Sequence, residues 1–127
     1  INGELCIYNT IEIIKRYEPK VYVIENPASS KIWHYVNDIL NFQIPFDNLA
    51  HYNLYNYPLR KPTRFKSNIN LGLRNNHKSK PQQQWEDFSK SYNERSNIPL
   101  GLIVDIYKAV NQYLTNPIGV PSERLLF

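Results

Sequence analysis

The sequence predicts an α/β domain in which helices cover a sheet, and three features of the chain support this class. Residues 21–24 form an uninterrupted run of strand-favouring residues, which is typical of a strand buried on both faces inside a parallel sheet. Stretches with a helical spacing of apolar residues precede and follow this run, at residues 3–16 and 29–40. This order predicts part of a parallel crossover unit in which helices pack on the sheet.

The size and composition of the chain limit the classes of protein to which it can belong. At 127 residues it has the length of one domain. Its single cysteine, Cys6, excludes an internal disulfide framework and a cysteine-rich zinc site. Because the sequence has no signal-like N-terminus and no apolar run of membrane-spanning length, we expect a soluble, cytoplasmic protein. The chain begins with Ile1 and not with Met, so we expect its start to be artificial.

The end of the predicted strand carries the first candidate site. Glu25 and Asn26 follow the apolar run directly, and Pro27 should end the strand because it cannot donate to a ladder. Open α/β sheets place their active sites at the carboxyl ends of their strands, where these two side chains would lie. The alternative interpretation is that Glu25 is an ordinary exposed acid at a strand-to-loop turn.

Three helices are predicted from the spacing of apolar residues and from the residues at the helix ends. The first, residues 3–16, ends before Pro19, and the second covers residues 29–40. The third begins with a capping residue followed by Pro99 in the first turn, and it runs to about residue 114. The side chains that these spacings assign to the core are Leu5, Tyr8, Ile11, Ile14 and Tyr17 in the first helix, and Leu100, Ile103, Val104, Tyr107, Val110 and Leu114 in the third.

Two further strands, residues 49–55 and 64–69, are predicted on either side of a short basic loop, residues 58–63, that contains two prolines. No acidic residue occurs between Asp47 and Glu86, although seven lysines and arginines lie there. Binding to a polyanion requires such a stretch of one charge sign, because phosphate contacts supply most of the affinity for nucleic acid. The loop is therefore a candidate clamp for a sugar–phosphate backbone. The alternative is an ordinary surface hairpin.

The polar residues 74–92 have no usable periodicity, and we expect them to form a long loop. Trp85 and Phe88 should hold one end of this loop against the domain. After the third helix the chain ends in a short tail, whose last residues, 125–127, are expected to pack back onto the domain.

Three separated stretches of the chain resemble, in order, motifs of the cytosine-5 DNA methyltransferases, especially the members found in phages and prophages. Residues 23–27 (Val-Ile-Glu-Asn-Pro) look like the family's strand that ends in Glu-Asn-Val. Residues 52–63 are similar to its Tyr-Gly-x-Pro-Gln-x-Arg-x-Arg loop, and residues 95–99 (Arg-Ser-Asn-Ile-Pro) to its Gly-Asn-Ala-Val-Pro segment. The resemblance covers nearly the whole chain, residues 1–127.

This resemblance implies the C-terminal portion of a methyltransferase catalytic domain. The implied fold is part of a Rossmann-like methyltransferase sheet with flanking helices and a C-terminal returning helix. Residues 58–95 would form the basic loop and a reduced target-recognition region. Since that region is short compared with the long recognition domain of the family, recognition of a DNA sequence by this chain would be minimal.

The resemblance also implies roles for particular residues. Glu25 would hydrogen-bond N3 of the flipped-out cytosine and help to stabilise its protonated ring, which makes C6 electrophilic; a partly desolvated carboxyl group at a strand end suits this role. Asn26 would orient the loop that carries the nucleophile, and Ser96 and Asn97 would lie near the cofactor, S-adenosylmethionine. The implied contacts to the target nucleotide and the DNA backbone come from Arg60, Lys61, Thr63, Arg64 and Lys66.

Parts of the family pattern are changed or absent in this chain. Leu59 stands where the family has Gln, and Thr63 stands where it has its second Arg, so the contacts of the loop differ. Neither the Gly-rich cofactor turn nor the Pro-Cys nucleophile of the family occurs in residues 1–20. Cys6 has no adjacent proline and no electropositive surroundings, and we expect it to be a buried structural thiol.

We therefore expect a fragment of a DNA methyltransferase that is inactive alone and binds S-adenosylmethionine only with the N-terminal half of the same enzyme. The alternative is a non-catalytic nucleic-acid-binding or decoy protein. A native N-terminus near Ile1 would favour the decoy, and an upstream reading frame that encodes Pro-Cys would favour the enzyme. An adenine amino-methyltransferase is disfavoured because Ala28 and Ser29 replace the Pro and aromatic residue that follow Asn-Pro in that group.

Overall fold

The computed structural model of the chain describes residues 2–88 and 91–116, apart from the side chains of Asn2 and Asn93. Its helices are α1 (Asn2–Tyr17), α2 (Ile32–His34) continued by a π-helix (Tyr35–Ile39), α3 (Tyr92–Ser96) and α4 (Leu100–Thr115). Its strands are β1 (Val23–Pro27), β2 (Phe46–His51) and β3 (Pro62–Ser67), and two 3₁₀ turns cover Tyr52–Tyr55 and Trp85–Asp87. The fold is therefore a mixture of helices and strands, as predicted.

The three described strands form one antiparallel sheet in the order β1-β3-β2. The prediction of a parallel ladder is wrong for these strands, since β1 lies at the edge of the described sheet and pairs antiparallel with β3. Residues 52–61 are too few for a helical crossover, so β3 returns beside β2 in the opposite direction. β3 then lies between β2 and β1, and the chain direction of β1 is opposite to that of β3.

The strand ends differ from the predicted ones because of local backbone chemistry. β2 stops at His51, since residues 52–55 coil into a 3₁₀ turn that ends at Asn56 in the left-handed conformation. β3 begins at Pro62, two residues earlier than predicted. A proline is tolerated at the first position of a strand, and the carbonyl of Pro62 accepts a hydrogen bond from the amide of Ala28 (3.0 Å).

Two apolar clusters lie on opposite sides of the sheet, because successive strand residues face opposite ways. Val23 packs against the first cluster and Ile24 is buried in the second, although Val23 itself is only half-buried. The first cluster, which includes Leu102 of α4, consists of Ala50, Tyr52, Tyr55, Phe65, Ile69, Leu71, Leu73 and Leu102. The second joins α1 to the helix after β1 and consists of Ile7, Ile11, Ile14, Ile24, Trp33 and Val36. Helices therefore pack on both faces of the sheet.

α1 buries a different face from the one predicted. Ile7 joins Ile11 and Ile14 in the core, and the other three residues assigned to the core are exposed, namely Leu5, Tyr8 and Tyr17. Cys6 is exposed as well, so the prediction of a buried thiol is wrong. Because α1 has apolar residues on several sides, its spacing fits more than one buried stripe.

α4 likewise turns its predicted core face outward. Leu102 is fully buried, and Ile106, Ala109, Val110 and Tyr113 pack around it against the first cluster. Five residues that the sequence assigned to the core are exposed instead: Leu100, Ile103, Val104, Tyr107 and Leu114. At 3.6 residues per turn these five lie in a single stripe about 100° wide. We refer to them as the α4 stripe.

The long loop that follows β3 is held at its far end, as predicted. The ring of Phe88 packs on Tyr57 with a centroid distance of 5.6 Å. The guanidinium of Arg95 lies 5.2 Å from the centroid of the Trp85 ring. These contacts fix the approach to α3. The predicted packing of residues 125–127 lies outside the described residues.

Candidate functional site

A cleft of about 310 Å³ lies at the carboxyl end of β1, and residues from three separated segments line it. We refer to it as the Glu25 cleft. All three stretches that resemble methyltransferase motifs contribute to its walls. The lining residues are Glu25, Asn26 and Pro27 from β1, Lys61 directly before β3, and Tyr92, Arg95 and Ser96 from α3.

The pairing of β1 with β3 brings the first two segments together. Glu25 lies opposite Phe65, and Pro27 lies opposite Thr63, so the residues just before β3 run past the end of β1. The indole Nε1 of Trp33 in α2 donates to the carbonyl of Pro27 (3.0 Å), and this bond holds the end of β1. The position of Glu25 is therefore set by the sheet and not by a loose turn.

Lys61 connects the loop to the third segment. Its Nζ donates a hydrogen bond to the carbonyl oxygen of Arg95 and lies 5.2 Å from the centroid of the Tyr52 ring, a cation–π distance. Its backbone has a φ of 37°, in the left-handed region that non-glycine residues seldom occupy. Such strain persists only where the surroundings fix it, and here the Thr63 hydroxyl donates to the Lys61 carbonyl (3.0 Å).

Glu25 and Lys61 lie in the same cleft, and the charge of each opposes the pKa shift of the other. The Glu25 side chain is solvent-exposed at the cleft, as in the alternative interpretation, but the surrounding protein atoms still raise its pKa above its ordinary value, and the nearby Lys61 charge lowers that pKa in part. Burial lowers the pKa of Lys61, and the Glu25 charge raises it in part. Each charged form is therefore disfavoured by desolvation and supported by its neighbour. Clefts that hold such groups are typical of functional sites, although structural ion pairs also show shifts of this kind.

We expect the Glu25→Gln substitution to stabilise the folded chain slightly at neutral pH. Because the folded pKa of Glu25 exceeds the unfolded one, its contribution to stability is full at low pH and is lost as the pH rises through the folded pKa. The melting temperature of the variant should therefore exceed that of the wild type at about pH 8, and the difference should vanish near pH 4. Glu86→Gln, at an exposed position, serves as the matched control. A variant that is less stable at about pH 8 would contradict the assignment of a desolvated carboxylate.

Tyr52 lies beneath this cleft and was not recognised from the sequence, where it counts as one residue of a predicted strand. Its side chain is fully buried, its ring meets Tyr57 edge-on at 5.4 Å, and burial, aided by the Glu25 charge, raises its pKa to about 12. The Tyr52 hydroxyl makes no hydrogen bond of standard geometry within the described part of the chain. The neighbouring Thr63 hydroxyl gives its proton to the carbonyl of Lys61. A tyrosine directly after a strand is too common to have signalled this.

Two of the predicted DNA-binding arginines have partners within the chain. Arg60 donates to the carbonyls of His77 (3.1 Å) and Ser79 (2.8 Å) and so holds the following loop. Arg64 forms an ion pair with Asp47 across the β2–β3 ladder. Their contacts to DNA stay a prediction, and each would have to be made in addition to these internal bonds.

The other predicted DNA-binding residues and two further lysines differ in their exposure. Thr63 is fully buried, so its neutral side chain faces the core. The Nζ of Lys66 lies 5.2 Å from the Trp33 ring centroid, on the face of the sheet that the second cluster covers. Lys78 and Lys80 are both exposed, on the loop that Arg60 holds. Those two lysines are the ones best placed to meet a polyanion from solvent.

The predicted cofactor-side residues lie at the end of α3 and in the connection to α4, which begins only at Leu100. The Ser96 hydroxyl donates to the carbonyl of Tyr92 (2.7 Å), and Ser96 lines the Glu25 cleft. Asn97 is exposed between α3 and α4 and is not part of the cleft wall. Cys6 lines a second cleft, of about 390 Å³, between α1 and β1, whose lining also includes Glu25 and Asn26. Glu25 therefore stands at the boundary of two clefts.

Comparisons of the chain with protein-family models, curated proteins and solved structures found no match. No helix within residues 2–88 and 91–116 is both long and apolar enough to cross a membrane. In the same residues, no group of three or more His, Cys, Asp or Glu side chains is arranged to hold a metal ion. The geometry of the Glu25 cleft is thus the main basis for a functional assignment.

Proposed function

We propose that the chain is the C-terminal portion of a DNA cytosine-5 methyltransferase of the type found in phages and prophages, and that Glu25 acts on the flipped-out target cytosine. The observation that supports this most is the convergence of the three motif-like stretches on one cleft, lined by Glu25 and Asn26, by Lys61 and by Ser96. These stretches are far apart in the sequence, so a chance resemblance of each would not require them to meet.

The chemistry of Glu25 fits this role. A base must leave the duplex stack before an enzyme can act on it, and a cleft with a carboxyl group and an amide offers partners for its polar edge. Because partial desolvation raises its pKa, Glu25 holds a proton more readily than a fully solvated glutamate and can share it with the ring nitrogen. The Lys61 charge favours the carboxylate form of Glu25, and it supplies the cleft with a cation that could meet a phosphate of the target nucleotide.

The cofactor would be held at the end of α3 and the connection to α4. Ser96 and Asn97 offer a hydroxyl and an amide there, which suits the polar part of S-adenosylmethionine and forms one wall of its pocket. S-adenosylmethionine supplies the methyl group for C5 of the cytosine. The thiolate that adds to C6 would come from the Pro-Cys motif of the N-terminal half of the same enzyme, a cytoplasmic protein.

Two surfaces of the chain, the second edge of β1 and the α4 stripe, are suited to contact an N-terminal half of the proposed enzyme. Within the described residues, β1 pairs with β3 on one side and with no strand on the other. Its second edge would accept the parallel strands of a larger Rossmann-like sheet, of which the described strands would be the antiparallel end. The α4 stripe exposes five large apolar side chains on one side of a helix, which is the pattern of a helix packed on two sides.

The direct test joins this chain to an upstream half that carries the Gly-rich turn and the Pro-Cys motif, and then measures modified bases in DNA by mass spectrometry. The reconstituted enzyme should produce 5-methylcytosine, whereas the chain alone should produce none. The Cys6→Ser variant should remain active, because the nucleophile comes from upstream. N6-methyladenine would overturn the family assignment, and DNA binding without methylation would favour a decoy protein.

DNA binding by the isolated chain should depend steeply on salt, because each lysine that meets a phosphate releases a counterion. We expect the Lys78→Ala/Lys80→Ala double variant to reduce the slope of log affinity against log salt by about 2. Arg60 and Arg64 are unsuitable for this test, since their removal also breaks internal bonds. Fluorescence anisotropy over a salt series measures the slope.

The matched control for the salt series is the Lys15→Ala/Lys108→Ala double variant, which removes two exposed charges from α1 and α4. This control should keep the wild-type slope. An equal change in both double variants would mean that only the net charge matters. An unchanged slope in the Lys78→Ala/Lys80→Ala variant would show that this loop is a solvated surface.

A further inference from the structure

Tyr92 stands at the wall of the Glu25 cleft with its ring almost wholly in solvent. At 82% exposure it is the most exposed large apolar side chain among the described residues. Aromatic rings are large apolar surfaces that proteins usually cover, and a ring left open beside a polar cleft offers a flat face to a ligand.

The backbone that carries Tyr92 is held from below, so the point from which its side chain projects has a defined position. The hydroxyl of Tyr57 donates to the carbonyl of Glu94 (2.9 Å), and Nζ of Lys61 donates to the carbonyl of Arg95. Arg95 in turn packs on the Trp85 ring at 5.2 Å. These contacts fix the short α3 helix on two sides, and they leave its first residue directed away from the core.

The groups around the ring define the class of ligand that would use it. The cleft contains a carboxyl group and an amide, Glu25 and Asn26, and two cationic side chains, Lys61 and Arg95. A nucleotide has complementary parts: a base edge that hydrogen-bonds the carboxyl and amide, a phosphate that meets the cations, and a flat π-face for the tyrosine. An apolar ligand would make no use of the polar and charged lining of the cleft, and an acidic ligand without a ring would leave Tyr92 unused.

We propose that Tyr92 is the stacking surface for an unpaired nucleobase at the Glu25 cleft. This inference rests on the proposed function, because it takes single-stranded or flipped-out DNA as the ligand. Stacking on an aromatic side chain tolerates any base, since every base has a π-face. Tyr92 thus adds affinity for an extruded base, and Glu25 and Asn26 supply the selection among bases.

The test uses the 127-residue chain and two fluorescein-labelled single-stranded oligonucleotides of equal length, one of deoxycytidines and one with abasic sites throughout. Tyr92→Ala should weaken binding to the deoxycytidine strand about 5- to 100-fold, the range for loss of one base–aromatic stack, and leave binding to the abasic strand unchanged. Tyr92→Phe keeps the ring and should bind both strands like the wild type. Tyr17→Ala, which removes another exposed tyrosine (68%) at the end of α1, is the matched control and should change neither affinity.

Any of three outcomes would overturn the inference: an equal loss on both strands, no loss on either, or no binding of either strand by the wild-type chain at low salt. Failure of the proposed function is distinguishable from these outcomes. A reconstituted protein that makes no 5-methylcytosine removes the methyltransferase assignment and leaves a base-dependent Tyr92 effect in place. If the reconstituted enzyme is active and Tyr92→Ala binds each strand as tightly as the wild type does, only the stacking role of Tyr92 is removed.

Discussion

Replacing Glu25 with Gln in the reconstituted enzyme should lower the rate of methyl transfer about 10²- to 10⁴-fold, the usual range for loss of a general acid–base group. The amide has nearly the shape of the carboxyl group, so binding of the flipped-out base should change little. The amide cannot donate a proton to N3 as this nitrogen becomes basic, so the substitution removes stabilisation of the transition state. Single-turnover rates of 5-methylcytosine formation, measured beside DNA affinity, separate the two effects.

The matched control for this variant is Glu86→Gln, an exposed position on the 3₁₀ turn outside the cleft, which should leave the rate unchanged. Full activity in Glu25→Gln would remove the acid role and leave the fold unaffected. A parallel loss of DNA affinity and rate would mean that Glu25 serves binding alone. The stability of the variant, which should be no lower than that of the wild type, excludes misfolding as the cause.

Introducing a charge into the α4 stripe should prevent assembly with the N-terminal half while the isolated chain stays folded. Ile103 is 47% exposed, so Ile103→Glu should change the free energy of unfolding of the chain by only about 0.5 kcal/mol. In the assembled enzyme the new carboxylate would be buried without a partner, which is far more costly. We expect the two halves, supplied as separate chains, to associate at least about 100-fold more weakly, a loss of about 2.7 kcal/mol.

Gln112→Glu is the control for the stripe, because it adds the same charge at an exposed position on another side of α4. Association of the halves can be measured by calorimetry and by recovery of methyl transfer. If Ile103→Glu and Gln112→Glu assemble equally well, the stripe is not the contact surface. If Ile103→Glu unfolds the isolated chain, then this side of α4 contributes to the core after all.

Local chemistry made some features predictable from the sequence. The run of apolar residues that ends in Glu25-Asn26-Pro27 determined where β1 stops, since proline cannot continue a ladder. Pro99 likewise stands at the beginning of α4, where a missing backbone N–H has no cost. Both are properties of a residue and its own backbone, which need no information about the rest of the fold.

The contacts that charged and aromatic side chains make within the fold could not be predicted from local sequence patterns. Arg60 and Arg64 looked like free cations in a basic stretch, and each has an internal partner about 17 residues away in the chain. Tyr52 looked like a strand residue, and it supports Lys61 under the cleft. Contacts between residues distant in the sequence depend on how the elements pack, and local sequence patterns carry no signal for them.

The sequence by itself determined the order of the main helices and strands and the end of β1 at Pro27, because backbone propensity and apolar spacing act over only a few residues. It did not predict α3, and it placed Glu25 at the end of a strand of which Glu25 is the middle residue. Only the tertiary structure decided that β3 lies between β1 and β2 and pairs antiparallel with both, since the pairing of β1 with β3 joins residues that are distant in the sequence. It also decided which faces of α1 and α4 are buried. Both helices are apolar on more than one side, so the face that packs is chosen by the shape of the surface opposite, to which Ile11 and Leu102 fit.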